Sequence, residues 1–302
     1  MNISRRTFVK NSALTVAGTA LFSRQILSSR KNKHILGIQL YSVRDDMKKD
    51  PAGTLKQLTA MGYKNVEHAN YVDRKFYGYN ATDFKKLLKD TGLEMRSGHT
   101  VMGRQHWDES KNDFTDAWKY TVEDAATVGQ DYVISPWLDE SYRKDYDGLK
   151  RFLEVFNKSG ELCKKSGMRF GYHNHDFEFS QKINDQSIYD IILKNTDPKL
   201  VIQQLDIGNL YNGGAKAIDI VQQYPNRFLS LHVKDEVPAS SGNEKYESAI
   251  LGAGIVNVKD VIALVGQHNK GVHYIIEQES YQGKRPLDCA KEDLAIMKSW
   301  GY

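Results

Sequence analysis

From residue 35 onward, short runs of apolar and β-branched residues alternate with longer stretches whose apolar positions recur every three or four residues. The short runs predict β-strands at Ile35–Tyr41, Asn65–Glu67, Glu94–Ser97, Tyr132–Ser135, Arg169–His173, Val201–Asp206, Phe228–His232 and His273–Glu277. The stretches between them read as amphipathic helices. The clearest covers Tyr146–Ser166, with Leu149, Phe152, Leu153, Phe156 and Cys163 on one face and Gly167 just past its end. The last opens with Pro286 at the first helical position and turns Leu287, Ala290, Leu294 and Met297 inward. Gly62, Gly92 and Gly129, like Gly167, stand just ahead of a strand, where a helix-to-strand turn calls for positive φ.

Eight strand–helix units in succession suit an α/β chain closed into a (β/α)8 barrel. An open doubly wound sheet is the alternative. It usually carries a glycine-rich first turn, whereas here the first strand runs into Tyr41-Ser42-Val43-Arg44-Asp45. No Pro- or Ser-rich linker interrupts the pattern, so residues 35–302 read as one domain.

Residues 1–34 differ. They hold seven basic residues and no acidic one, which leaves 35 basic against 38 acidic residues in the rest of the 302-residue chain. The formal +4 of the whole therefore resides in a leader, and the body offers no basic face for nucleic acid. Ser4-Arg5-Arg6-Thr7-Phe8-Val9-Lys10 followed by the apolar run Asn11–Phe22 resembles a twin-arginine (Tat) export signal. That run of 12 residues is shorter than the ~20 a membrane-spanning helix needs. The leader has no cysteine for a lipid anchor, so the expectation is a periplasmic protein without a stable membrane anchor. Cys163 and Cys289, 126 residues apart, read as buried small side chains rather than a disulfide or zinc motif.

In a barrel the C-terminal strand ends share one face, and that face carries the chemistry. Here they read Glu67-His68, Gly98-His99, His173-Asn174-His175-Asp176, Asp206-Ile207-Gly208-Asn209, His232-Val233-Lys234-Asp235 and Glu277-Gln278-Glu279. The last four strands thus end in His173, Asp206, His232 and Glu277, at intervals of 33, 26 and 45 residues. Imidazole and carboxylate donors without thiolates suit one divalent ion: Mn²⁺, Co²⁺, Fe²⁺ or Zn²⁺, with Mg²⁺ also compatible. Each residue has a plainer alternative. Asp206 would cap a helix, His232 would be a hydrogen-bonded core residue, and Glu277 would sit in a salt bridge. Lys234 would be a solvated loop charge. His173 and His175 point the same way by strand alternation, with His173 favoured as the ligand.

With these residues in view, the chain resembles the xylose-isomerase-like TIM-barrel superfamily, which includes sugar isomerases, epimerases and family 2 AP endonuclease barrels. The resemblance rests on Gly37-Ile38-Gln39-Leu40-Tyr41-Ser42, Gly62-Tyr63-Lys64-Asn65-Val66-Glu67, Tyr172-His173-Asn174-His175, Leu205-Asp206-Ile207-Gly208-Asn209, Leu231-His232-Val233-Lys234-Asp235, Leu251-Gly252-Ala253-Gly254 and Ile276-Glu277, in that order. It implies a metal held by Glu, Asp, His and Glu from strands five to eight. The last three match Asp206, His232 and Glu277. The first position holds His173, and Asn209 stands where the family often has His. Glu178, from the following loop, or His175 is the candidate replacement for the missing glutamate.

The implied function is a divalent-metal-dependent sugar isomerase or epimerase working through a metal-stabilised enediolate. A keto-sugar lyase or hydratase is the neighbouring alternative, and a non-catalytic periplasmic sugar-binding barrel the third. The candidate catalytic residues are Glu277, His175, Lys234 and Glu67, with His99, Trp137, Asn209 and Glu178 as substrate-binding residues. An exported enzyme is expected to act on a free sugar, keto-sugar, polyol or glycoside. The Gly252-Ala253-Gly254 loop nevertheless lies where barrels often bind phosphate. The expected partner is a small carbohydrate and not a nucleic acid; a homo-oligomer is left open.

Overall fold

The computed structural model describes residues 34–240 and 245–302. The expected export signal, residues 1–34, lies outside them except for its last residue. Among the described residues no helix is long and apolar enough to cross a membrane.

Eight parallel strands close into a barrel: β1 Ile35–Gln39, β2 Asn65–His68, β3 Glu94–His99, β4 Tyr132–Ser135, β5 Arg169–His173, β6 Val201–Asp206, β7 Phe228–Val233 and β8 His273–Ile276. Neighbours in the ring are neighbours in sequence, and β1 closes it by pairing Ile35–Ile38 with His273–Ile276. The major helices are α1 Pro51–Met61, α2 Ala81–Thr91, α3 Asp116–Val128, α4 Tyr146–Lys165, α5 Ile188–Asn195, α6 Ala217–Gln223, α7 Val258–His268 and α8 Pro286–Ser299. The doubly wound alternative is thereby excluded. Every strand lies within a few residues of its expected position. β1 stops early because the Gln39 side chain accepts a hydrogen bond from the Tyr41 backbone N–H at 3.3 Å and turns Leu40–Val43 into a 3₁₀ turn.

Local chemistry sets the helix limits. Asp145 caps α4 by accepting from the Gly148 N–H at 2.7 Å, and its apolar stripe is buried as expected. Gly167 follows it at φ 77, in the left-handed region a side chain resists. The apolar faces of the helices pack on the outside of the barrel in two clusters, one around α3–α5 and a larger one around the rest. Both cysteines are buried and unbridged.

The barrel interior has two zones. Low in it, Gly171 lies so close to Ile134 and Ile202 that an added Cβ would meet each at 3.0 Å. Higher up it is polar, with Gln39, Glu67, Ser97, Gln204, Ser230 and His232 all buried. Small antiparallel ribbons rise from the C-terminal face: Tyr71–Val72, Lys75–Phe76 and Tyr79–Asn80 after β2, Trp107–Asp108 with Asp113–Phe114 after β3, and Asp235–Pro238 with Tyr246–Ala249 after β7.

Two buried histidines, His68 at the end of β2 and His273 at the start of β8, contribute to the acid stability. Burial, helped by nearby positive groups, pushes both His68 and His273 down to about 3 from 6.5. Both are neutral when folded but bind a proton when unfolded below pH 6.5. Stability is therefore present above pH 6.5 and lost as pH falls toward the folded values, at about 1.4 kcal/mol per pH unit for each histidine. Urea unfolding followed from neutral pH to about 4 is expected to show stability falling with pH, and His273→Phe to reduce that slope by its own share, about 1.4 kcal/mol per pH unit. A flat profile would contradict the burial argument.

Candidate active site

The four strand-end residues converge. Asp206 Oδ2, His232 Nδ1 and Glu277 Oε2 lie close enough to share an ion, with His232 to Glu277 at 3.0 Å and His232 to Asp206 at 3.7 Å. His173 stands beside them, its Nε2 3.8 Å from Asp206 Oδ2. His99, His173 and His232 form a second group with the spacing of metal ligands. Asp206 does two things at once. Its Oδ1 caps the short helix Ile207–Asn212 by accepting from the Asn209 N–H at 2.7 Å, while Oδ2 is buried with no hydrogen-bond partner.

Below the cluster sits Glu67, wholly buried. Gln39 donates to it at 2.9 Å, Gln204 at 3.0 Å, and Ser97 through its hydroxyl. His232 Nε2 meets it at 2.7 Å. That bond fixes the imidazole so that Nδ1 faces Asp206 and Glu277. Gln204 is the hub beside it: its Oε1 meets His99 Nε2 at 2.6 Å and His173 Nδ1 at 3.0 Å, and its amide also donates to Ser230. Asn174 clamps the ends of β5 and β6 by accepting from the Asp206 N–H at 3.0 Å and donating to the Asp206 carbonyl.

Lys234 is also buried, not a solvated loop charge. Its ammonium lies 2.5 Å from Glu279, 3.1 Å from Asn209 Oδ1, 3.4 Å from Glu277 and 3.7 Å from Asp206. Burial alone would lower its pKa, but these carboxylates hold it well above its usual range. The same balance holds His232 well above 6.5, with burial opposed by Glu277, Asp206 and Glu67. Burial would raise Asp206, yet Lys234 and His232 keep it ionised. His173 is pushed down by burial and by the neighbouring imidazoles.

His175 lies at the edge of the cluster. Its ring packs edge-on against Trp137, at 5.1 Å between centroids, and burial pushes it down to about 4. It is therefore a neutral imidazole at neutral pH.

A cavity of about 840 Å³ opens above, lined near its floor by His99, His173, His175, Asn209, Glu277 and Glu279. Three expected site residues lie elsewhere. Glu67 is sealed beneath the cluster with both oxygens engaged and does not line the cavity. Glu178, proposed as a ligand or substrate contact, is buried between the Tyr172 hydroxyl and the His175 N–H, which donates to it at 2.8 Å. Burial raises its pKa to about 8. It anchors the loop that carries His175 and does not join the cluster. Trp137 is 40% exposed and touches His175, outside the cavity wall.

The glycine loop also departs from expectation. Asp235 accepts from the backbone N–H groups of Gly252 at 2.9 Å, Gly254 at 3.1 Å and Val256 at 3.2 Å. A carboxylate of the chain itself occupies the amides that would cradle a phosphate.

The donor set fits a divalent ion. Ligands bound at about 2.0–2.2 Å stand some 3–4 Å apart, as Asp206, His232 and Glu277 do. Asp206 Oδ2 accepts no hydrogen bond within the chain, and its charged neighbours Lys234 and His232 stand 3.7 Å away. Glu67, Asp206, Glu277 and Glu279 outnumber His232 and Lys234 in charge, which leaves an excess suited to a dication.

A barrel with this arrangement at its C-terminal rim defines a class, and the sequence profile of the xylose isomerase-like TIM barrel family matches residues 55–300. The chain belongs to that family. Inosose dehydratase of Clostridium perfringens is 25% identical over 248 residues, covering 74% of this chain and 81% of its own. That of Clostridium beijerinckii is 21% identical over 248 residues, covering 74% and 80%. The crystal structure of a sugar phosphate isomerase/epimerase from Parabacteroides distasonis matches with a TM-score of 0.74 at 25% identity, covering 89% of this chain and 94% of that one. IolI, crystallised with a bound zinc atom, shares the fold at 11% identity and a TM-score of 0.67, covering 88% and 97%.

Glu67→Gln places an amide donor against donors and leaves His232 without its lower partner. Urea unfolding is expected to show a loss of about 3–5 kcal/mol, against about 1–3 kcal/mol for Ser97→Ala, which keeps the carboxylate. Equal, small losses would mean that the network does not hold the barrel together.

Proposed function

We propose that the chain is a divalent-metal-dependent lyase that dehydrates an uncharged cyclic polyol ketone or keto-sugar. The observation that carries this reading is the buried Asp206–His232–Glu277 cluster, with Asp206 Oδ2 unpartnered and the neutral His175 at its edge. Asp206, His232 and Glu277 would hold the ion, with His173 in reach as a fourth donor. When bound, such an ion supplies Lewis-acid polarisation of the substrate carbonyl.

The chain's own groups do the rest. Lys234, buried beside Asp206 and Glu277 with its N–H groups engaged, stabilises negative charge developing on the carbonyl oxygen through its field. His175 removes the proton next to the carbonyl, and its imidazole is unprotonated above pH of about 4. The imidazolium then returns that proton to the departing β-hydroxyl on the same face. Water leaves, an unsaturated ketone remains, and His175 is neutral again. Asn209 and Glu279 hold Lys234 in place.

Dehydration is favoured over epimerisation by what strand five contributes. A two-base epimerase needs an acceptor on each face of the substrate. Glu178 is sealed by Tyr172, and His173 is committed to Gln204 and the cluster, so His175 is the base that strand five's end presents to the cavity. Likeness to inosose dehydratases supports the same choice. An isomerase or epimerase is the second reading, favoured by the Parabacteroides distasonis relative. An uncharged substrate is supported by Asp235 filling the glycine-loop amides. The twin-arginine pattern at Ser4–Lys10 supports export, and with it a substrate met in the periplasm.

The test combines metal content with proton exchange. About one divalent ion per chain is expected after reconstitution, lost in Asp206→Asn and Glu277→Gln. In heavy water, an inosose is expected to exchange its α-proton and give an ultraviolet-absorbing enone. His175→Gln is expected to keep the ion but lose about 10²–10⁴-fold in rate. Failure to bind any divalent ion, or an undiminished His175→Gln rate, would overturn the proposal.

The pH profile is a separate check. The acid limb of kcat/KM is expected near pH 4, set by the buried His175, rather than near 6.5.

A further inference from the structure

The cavity is larger than a single reacting ring needs. From Glu277 and His175 it runs outward past Thr100 and Val101 to Tyr71, Arg74 and Tyr120. Its volume of about 840 Å³ lies toward the upper end of the roughly 300–1,000 Å³ typical of ligand pockets. A single polyol ring held at the cluster leaves the outer half unfilled.

That outer half is apolar where solvent reaches it. Six large hydrophobic side chains are exposed among the described residues, and four of them, Tyr41, Val72, Val101 and Tyr120, line this cavity. Tyr41 and Tyr120 are 43% and 41% exposed; Arg44 and Arg74 each lie over one ring face and leave the rest to a ligand. Exposed apolar groups concentrated at a pocket mouth mark a binding surface.

The outer half is also rigid. The turn between Val72 and Lys75 carries Asp73 and Arg74 at φ 50 and 61, left-handed positions that non-glycine residues resist. Asp124 on α3 holds this turn: Arg74 meets it through two nitrogens at 2.9 and 2.7 Å, and Tyr71 donates its hydroxyl at 2.7 Å. The Arg74 guanidinium also meets Glu123 at 3.1 Å and lies 4.1 Å from the Tyr120 ring centroid. Two carboxylates already answer its charge, so it offers little to a phosphate. The outer half is built for an uncharged group with an apolar face and hydroxyls.

We infer that this outer half is a second sugar subsite, and that the substrate is a glycoside whose reacting ring sits at the metal cluster while a second neutral glycosyl unit stacks at Tyr41 and Tyr120. The inference rests on the proposed function for the inner ring. It adds to that reading that the physiological substrate is larger than a monosaccharide.

The test is calorimetric binding to the metal-reconstituted full chain, using a keto-monosaccharide and the disaccharide that carries the same keto ring. The disaccharide is expected to bind at least tenfold tighter. Tyr120→Ala and, separately, Tyr41→Ala are expected to reduce that gain severalfold while leaving the monosaccharide affinity within twofold. Equal affinities, or a gain untouched by both substitutions, would overturn the inference while leaving the proposed function standing. Tighter binding of an aryl glycoside than of the disaccharide would also overturn it, because the outer group would then be an aromatic aglycone. If the disaccharide binds as expected but neither compound exchanges a proton, the subsite stands and the proposed reaction falls. If neither compound binds, both fall.

Discussion

A carboxylate removed from water has to be met by donors, and inside this barrel that carboxylate is Glu67. Five side chains from four different strands turn toward it: Gln39, Ser97, His99, Gln204 and His232. The requirement reaches in two directions. It ties β1, β2, β3, β6 and β7 across the interior, where hydrophobic packing alone would leave each strand free to adjust. It also fixes the orientation of the one imidazole whose other nitrogen faces Asp206 and Glu277. Barrel closure and site geometry are therefore the same constraint seen from below and from above.

The upper layer balances charge in a different way. Lys234 is a fixed cation among the carboxylates of Glu67, Asp206, Glu277 and Glu279, and His232 is an exchangeable one, since it releases its Nδ1 proton to ligate an ion. Burying so many charges is costly, and mutual pairing offsets only part of the cost. The remainder is held by the fold as a local excess of negative potential around Asp206 Oδ2, a buried oxygen of the cluster that accepts no hydrogen bond. His175 stays outside this balance. It is attached through its backbone to Glu178 and through its ring to Trp137, so it remains neutral although charged groups lie close by.

The architecture was legible because strand, helix and turn signals agreed along the whole chain. The strand ends were legible because the topology places them on one rim, so His173, Asp206, His232 and Glu277 could be assembled from spacing alone. What escaped the sequence depended on which face of a strand or loop a side chain takes. Gln204 stands two residues before Asp206, and strand alternation alone would have put it on the same face, yet nothing in its residue type marks a hub. Glu67 and Lys234, both expected as catalytic residues at strand ends, are both buried: one sits below the rim, the other is drawn inward by three carboxylates. Glu178 looked like a replacement ligand by position, but Tyr172, six residues earlier on β5, holds it away. The two-residue ribbons at the mouth are too short to show any periodicity.

The filled glycine loop bears on how a substrate arrives. Asp235 gives the backbone amides of Gly252, Gly254 and Val256 an internal counter-charge, and Asp124 and Glu123 do the same for Arg74. The rim thus has few uncompensated positive groups and casts little long-range attraction toward anions. Encounter is then a matter of random collision followed by stripping of water from ring faces. Its rate would change little with the ionic strength of the surroundings.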